Sequence, residues 1–183
     1  MKLHLNTEYP EATTDGLGIR YSIYTQGCRG GLWGDCIRNC NGCQNPETWS
    51  FDDDAPGSYW LETDELVEKI KASKLSYGKL TLCGGDPIWQ AEACIELIDK
   101  LRANKPDYSV WAYTGLLYEF IIKHANAQNH WREYLEHIDV LIDGPFVLKQ
   151  RDITLPWRGS PNQRVIDVKN TLKTGTVTLE KYD

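Results

Sequence analysis

A chain of 183 residues is one domain's worth at roughly 100 to 200 residues per domain, and 41% apolar with 25% charged residues suits a packed core and excludes a disordered chain. Against 20 basic residues stand 26 acidic ones, for a formal charge of −6. No Lys/Arg run offsets that balance, so a nucleic-acid partner, which needs a basic stripe against its phosphates, is not expected.

Met1 to Gly16 is polar, broken by Pro and Gly and without an apolar h-region, so no export signal is expected. No membrane helix is expected either, since nothing approaches the roughly 18 apolar residues one needs. The expected compartment is the reducing cytoplasm, where clustered cysteines serve metal or redox chemistry more than disulfides. Arg20 to Gln26 (RYSIYTQ) is β-branched and aromatic and stops at Gly27, a strand pattern. A long Gly- and Cys-rich loop follows, to about Ser50. After an acidic turn at Pro56 and Gly57, Thr63 caps a helix with Asp64 and Glu65 in its first turn and Leu66, Val67 and Ile70 on its apolar face. Lys79 to Cys83 (KLTLC) is a short strand ending at Gly84 and Gly85. Cys94, Leu97, Ile98 and Leu101 mark one buried helical face, and Tyr108 to Tyr113 (YSVWAY) is the next strand. Thr114 and Gly115 turn into a helical stretch, Leu117 to His124, with another near Trp131 to His137. Val140 to Ile142 is a buried strand closed by Asp143, Gly144 and Pro145, and Arg164 to Val168 and Thr176 to Leu179 are further β-rich pieces. The alternation predicts one α/β domain over residues 1–183 with a largely parallel sheet, open or closed part-way into a barrel. Such sheets bind ligands at the carboxyl ends of their strands, so the cysteine loop and the turns at Gly84, Thr114 and Asp143 should share one rim.

Of the six cysteines, Cys28, Cys36, Cys40 and Cys43 fall within sixteen residues. Cys36-x3-Cys40-x2-Cys43 offers three thiols from one loop whose Asn39, Asn41 and Gly42 tolerate the tight turns that gather sulfurs. The number three is informative, because a structural zinc takes four closed ligands while a cubane iron–sulfur cluster on three thiolates leaves one iron open. Cys28 is the competing residue. As a fourth ligand it would close a zinc knuckle or an electron-transfer cluster; otherwise it is a thiol beside the site. Cys83, ending a strand, and Cys94, on a helix face, read as packing residues. His4, His124, His130 and His137 show no ligand spacing.

The cysteine motif after one strand, with Gly84-Gly85-Asp86-Pro87 after the next, resembles the radical S-adenosylmethionine enzymes. Asp15-Gly16-Leu17-Gly18-Ile19-Arg20, Asn45-Pro46-Glu47-Thr48-Trp49, Tyr113-Thr114-Gly115, Ile142 to Phe146 and Trp157 to Arg164 narrow the resemblance. Together these segments are similar, in order from about residue 15 to 168, to the activating proteins of anaerobic ribonucleoside-triphosphate reductases, which are glycyl-radical activases. Two departures stand out. That family has its first ligand directly after the strand-ending glycine, where this chain has Cys28 followed by an insert, Arg29 to Asp35; the spacing to Cys40 and Cys43 selects Cys36. Leu17 stands where a proline is usual.

The resemblance implies an incomplete β/α barrel and an enzyme with a 4Fe-4S cluster on Cys36, Cys40 and Cys43, whose open iron chelates S-adenosylmethionine. Reductive cleavage then yields a 5′-deoxyadenosyl radical that takes a hydrogen atom from a glycine of the reductase. It also implies an electron donor such as flavodoxin or ferredoxin, and no catalytic residue beyond cluster and cofactor. Gly84 and Gly85 permit close approach to the cofactor, and Asp86 accepts from its ammonium. By analogy Gly42 and Gln44 meet its adenine end. Thr114 and Asp143 face its ribose or carboxylate, or cap helices instead. Arg20 fixes a carboxylate or pairs with surface acids, and Trp157 to Arg164 docks the partner or folds over the rim. Two other readings stay open: an activase of the pyruvate formate-lyase type, and a non-catalytic zinc or iron–sulfur module.

Overall fold

The computed structural model describes residues 1–181. Its main sheet has seven strands: β1 (Lys2–Ala12), β2 (Arg20–Thr25), β5 (Tyr59–Glu62), β6 (Lys79–Gly84), β7 (Ser109–Tyr113), β8 (Val140–Asp143) and β9 (Arg164–Asp167). The order is β5-β1-β2-β6-β7-β8-β9. The centre, β2-β6-β7-β8, is parallel; β1 and β9 join it antiparallel, and β5 pairs antiparallel with β1. The fold is therefore mixed α/β with a mostly parallel central sheet, open in strand order with β5 and β9 at its edges.

Five helices carry the connections: α1 (Thr63–Ala72), α2 (Ala91–Asn104), α3 (Tyr118–His124), α4 (Trp131–His137) and α5 (Val168–Thr174). Apolar residues of all five pack in one cluster with Leu80, Leu82, Val110, Ala112 and Leu141 of the sheet. Side chains alternate across a strand, so residues of the other parity, Trp111, Ile142 and the half-buried Tyr113, meet on the opposite face, where Trp157 packs with them. One face thus holds the main core and the other is left for a site. Among the described residues no helix is long and apolar enough to cross a membrane.

The expected strands at Arg20, Lys79, Tyr108 and Val140 are all present. Arg164–Asp167 pairs with β8, while Leu179 contributes only a single bridge to Ile166. Several elements depart from expectation, among them β5, an edge strand formed by Tyr59–Glu62 against β1 just ahead of α1. β1 forms from a stretch that reads as merely polar, because Leu3 and Leu5 alternate into the core while its other half is solvated. α5 follows β9 directly, with Asp167 accepting from Asn170 N at its start. The cysteine loop contains a hairpin, β3 (Gly31–Trp33) and β4 (Cys36–Arg38), turned by Gly34 and Asp35 with Gly34 at φ 63°, as a two-residue hairpin turn requires.

Arg20, buried at the start of β2, lies far from the rim. It donates to Thr81 Oγ1 (2.6 Å), Leu80 O (2.6 Å) and Ser109 O (2.9 Å) and stacks on Trp111. Its work is to tie β2, β6 and β7 together at their amino ends.

Candidate iron–sulfur site

All four rim segments contribute to one cavity of about 620 Å³, floored by Tyr24, Cys83 and Tyr113 of the strands and reached by Cys28, Cys40, Cys43, Gln44, Gly84, Gly85, Thr114 and Gly144. A segment from Arg151 to Gly159 closes its far side.

Cys36 is not among the lining residues: it is exposed on β4, opposite Trp33 near the hairpin tip. The hairpin separates Cys36 from the other three loop cysteines. Gly31 pairs with Arg38, and Gly30 lies so close to Arg38 that a Cβ there would meet its carbonyl oxygen at 2.0 Å. Cys28 and Cys40 therefore flank the hairpin's base while Cys36 is carried outward. The other end of the loop is also fixed, by Gly27 N donating to Thr48 O (2.8 Å) and Cys28 N to Trp49 O (3.1 Å).

Each of the three loop cysteines in the cavity has backbone N–H directed at its sulfur. Gly30 N donates to Cys28 Sγ (3.2 Å) and Asn45 N to Cys43 Sγ (3.4 Å), and the N–H groups of Phe146 and Gly31 face Cys40. Burial pushes the Cys28 thiol well above its ordinary range, with the Asp86, Cys40 and Cys43 charges adding to it. Burial likewise raises Cys40, against its two backbone donors. Three thiols with backbone N–H donors on their sulfurs are a donor set that a cationic cluster can deprotonate and that N–H···S bonds then stabilise. Among the described residues no three His, Cys, Asp or Glu side chains are placed to share a single metal ion.

The remaining expected residues divide. Gly84 and Gly85 line the cavity, and close packing demands them as well: a Cβ on Gly84 (φ 94°) would lie 2.5 Å from Tyr24 Cα, and one on Gly85 2.5 Å from Gly27 O. Gln44 lines the cavity beside Gly159. Gly42, at φ 72°, sits under Leu148 outside the lining. Asp86 is fully buried and turned inward, accepting from Thr114 Oγ1 (2.8 Å), Gly115 N (3.0 Å) and Ile88 N (3.2 Å). Burial lifts its carboxyl to about 7 against those three donors. Its carboxylate is therefore a clamp on the Thr114–Gly115 turn and not an acceptor presented to a ligand. Thr114 borders the cavity, but its hydroxyl is committed, donating to Asp86 and accepting from Leu116 N (3.1 Å). Asp143 is also fully buried outside the lining, accepting from Tyr118 N (2.8 Å) at the start of α3 and from Arg164 Nε (2.9 Å) and Nη2.

Sequence reasoning missed the floor and the closing segment ahead of Trp157; Trp157, Arg158 and Gly159, from the stretch expected to fold over the rim or dock a partner, do line the cavity. Tyr24, Cys83 and Tyr113 have the strand parity opposite to the core residues, a legible signal. The 151–159 segment has no periodicity to read, yet it is firmly placed: Tyr113 Oη donates to Trp157 O (2.7 Å), Trp157 packs edge-on against Trp111, and Gly159 N donates to Gln163 Oε1 (2.9 Å).

Residues 14–166 match the model of the 4Fe-4S single cluster domain family. The anaerobic ribonucleoside-triphosphate reductase-activating protein of Vibrio cholerae is 31% identical over 157 residues, covering 85% of this chain and 92% of that protein. A pyruvate formate-lyase-activating enzyme of Staphylococcus epidermidis is 29% identical over 172 residues, 91% of this chain but 61% of that one. Among solved structures, QueE from Escherichia coli aligns with 63% of this chain and 53% of its own at 19% identity and a TM-score of 0.44. On the family match and the near full-length relative, this chain belongs to the 4Fe-4S single-cluster family and, within it, to the anaerobic ribonucleoside-triphosphate reductase-activating proteins.

Proposed function

We propose that this chain is a radical S-adenosylmethionine enzyme that installs a glycyl radical on an anaerobic ribonucleoside-triphosphate reductase. The observation that carries this reading is the set of three cysteines, Cys28, Cys40 and Cys43, around one cavity at the strand carboxyl ends, each with backbone N–H on its sulfur. These three, and not Cys36, are the ligands we assign to a 4Fe-4S cluster. When bound, the cluster and S-adenosylmethionine supply an electron and a C–S bond whose reductive cleavage releases methionine and a 5′-deoxyadenosyl radical able to take a hydrogen atom from glycine Cα.

The chain's own residues bind, orient and shield. Gly84 and Gly85 keep the cavity wall free of side chains. Gln44 stands next to the last ligand, where an adenine edge offers hydrogen-bonding partners. Asp86 holds the Thr114–Gly115 turn in place, and Asp143 with Arg164 holds the start of α3 beside β9. The 151–159 segment limits water entry from the far side, which protects a reactive species from quenching. A partial barrel belongs to this reading, supported by the four parallel strands whose helix-free face looks into the cavity. The mouth would admit a folded protein's glycine loop, and a flavodoxin or ferredoxin would deliver the electron. An activase of the pyruvate formate-lyase type has less support, since this chain spans only 61% of that relative.

The test is anaerobic reconstitution followed by dithionite reduction with S-adenosylmethionine. About four irons and four sulfides per chain are expected, with methionine and 5′-deoxyadenosine formed in equal amounts. A colourless protein that takes up only zinc would contradict the reading.

A further inference from the structure

Four charged side chains border the cavity: Asp15, Arg151, Asp152 and Arg158. Both carboxylates are already engaged. Asp15 accepts from Tyr24 Oη (3.1 Å) and Thr14 Oγ1 (2.9 Å), and Asp152 from Thr154 N (2.9 Å) and Oγ1 (2.6 Å). Arg158 is different: its Nε is buried and has no hydrogen-bond partner among the described residues. A guanidinium cannot shed its proton to escape this situation, and a buried charged donor left unsatisfied is costly.

The position of Arg158 is also built. On one side Trp157 holds a left-handed φ of 57°, unusual for a bulky residue, fixed by Tyr113 on its carbonyl and by Trp111 on its ring. On the other, Gly159 donates to Gln163 Oε1 (2.9 Å) and accepts from Asp152 N (3.0 Å). Strain held by such contacts points to a side chain whose placement matters. The planar fork of an arginine matches a carboxylate in two parallel hydrogen bonds. In the reaction proposed above, a glycine backbone brings neutral carbonyls to the site, whereas S-adenosylmethionine brings one carboxylate.

We propose that Arg158 binds the methionine carboxylate of S-adenosylmethionine and so positions the cofactor in the cavity. This rests on the proposed function. It places the anion-binding group on the closing segment, in a stretch with no sequence periodicity, while Asp143, expected toward the ribose or carboxylate, is turned inward.

The test measures binding without turnover, by equilibrium dialysis of labelled S-adenosylmethionine against the oxidised, reconstituted protein, with decarboxylated S-adenosylmethionine as the second probe. Arg158→Gln should keep its full iron and sulfide content and lose about 10- to 100-fold in affinity for S-adenosylmethionine, the range of a charge-assisted hydrogen-bonded pair. The decarboxylated probe should bind wild type and variant within about threefold of each other, and Arg158→Lys, which keeps the charge without the fork, should fall between. Unchanged affinity in Arg158→Gln overturns the assignment, including the case in which only binding of the reductase is weakened. Equal losses for both probes overturn it as well, since they would mark a general disturbance of the segment. If wild type with a full cluster binds no S-adenosylmethionine, the functional reading itself fails, and this assignment with it.

Discussion

Cys28→Ala is expected to purify with its cluster lost, retaining less than about one iron of four per chain, while Cys36→Ala retains the cluster and cleaves S-adenosylmethionine at near wild-type rate. Cys40→Ala and Cys43→Ala should behave like Cys28→Ala. The contrast follows from the hairpin. Pairing of Gly31 with Arg38 folds residues 31–38 back on themselves, so that Cys28 and Cys40, on either side of the hairpin, are neighbours. Cys36 rides on the outer end of that hairpin, exposed, while the half-buried Cys28 lines the cavity and its Sγ accepts from Gly30 N. Removing one of three thiolates leaves a cubane with two protein ligands, which iron content and the visible charge-transfer absorption report directly. A dead Cys36→Ala beside an active Cys28→Ala would reverse the ligand assignment.

The largest stability effect is expected at Asp143. Its fully buried carboxylate takes the first N–H of α3 and two nitrogens of Arg164, whose guanidinium also reaches both oxygens of Glu119 at 2.9 and 2.8 Å. Those hydrogen bonds, Asp143 first and Glu119 second, push the Arg164 guanidinium further above its ordinary range. Asp143→Ala leaves that charge and the Tyr118 N–H without their buried acceptor, and breaking such a pair costs about 3–5 kcal/mol. In a chain of this size that lowers the melting temperature by about 10 °C. Glu119→Gln, at the exposed end of the same network, should cost no more than about 1 kcal/mol. Thermal unfolding of the two variants side by side checks the order. Equal shifts would show that the burial of Asp143 contributes nothing, and a large specific loss of S-adenosylmethionine affinity in a still-folded Asp143→Asn would return the residue to the cofactor site.

The location of the site was readable before its side-chain directions were. Strand patterns ending in Gly84-Gly85, Thr114-Gly115 and Asp143-Gly144 place the turns on one rim, because parallel strands end on one side, and those turns do share a cavity. Direction is a matter of parity, and it holds for Asp143 too: two residues from Leu141, it falls on the helix-covered face and meets α3 instead of the cavity. Asp86 lies beyond the strand, where parity no longer applies, and only the packing of the Thr114–Gly115 turn turns its carboxylate inward. The cysteine loop is the sharper case. Local spacing favours Cys36, yet ligand choice depends on which residues the fold returns to one place, and the hairpin signal, Gly34-Asp35 between Leu32-Trp33 and Cys36-Ile37, was hidden by a Gly-rich composition. Of the closing segment only the end from Trp157 was legible, as folding over the rim or docking a partner; its order comes from tertiary contacts with Tyr113, Trp111 and Gln163.

The central claim is that this chain makes a glycyl radical on a protein partner, and electron paramagnetic resonance of that partner tests it most directly. Reduced, cluster-loaded protein incubated anaerobically with S-adenosylmethionine and the anaerobic reductase from the same source should produce a doublet signal from a carbon-centred glycine radical. The signal should collapse to a singlet when the reductase carries glycine deuterated at Cα, and be absent with Cys28→Ala. Cleavage of S-adenosylmethionine with full cluster occupancy but no radical on the reductase would contradict the account.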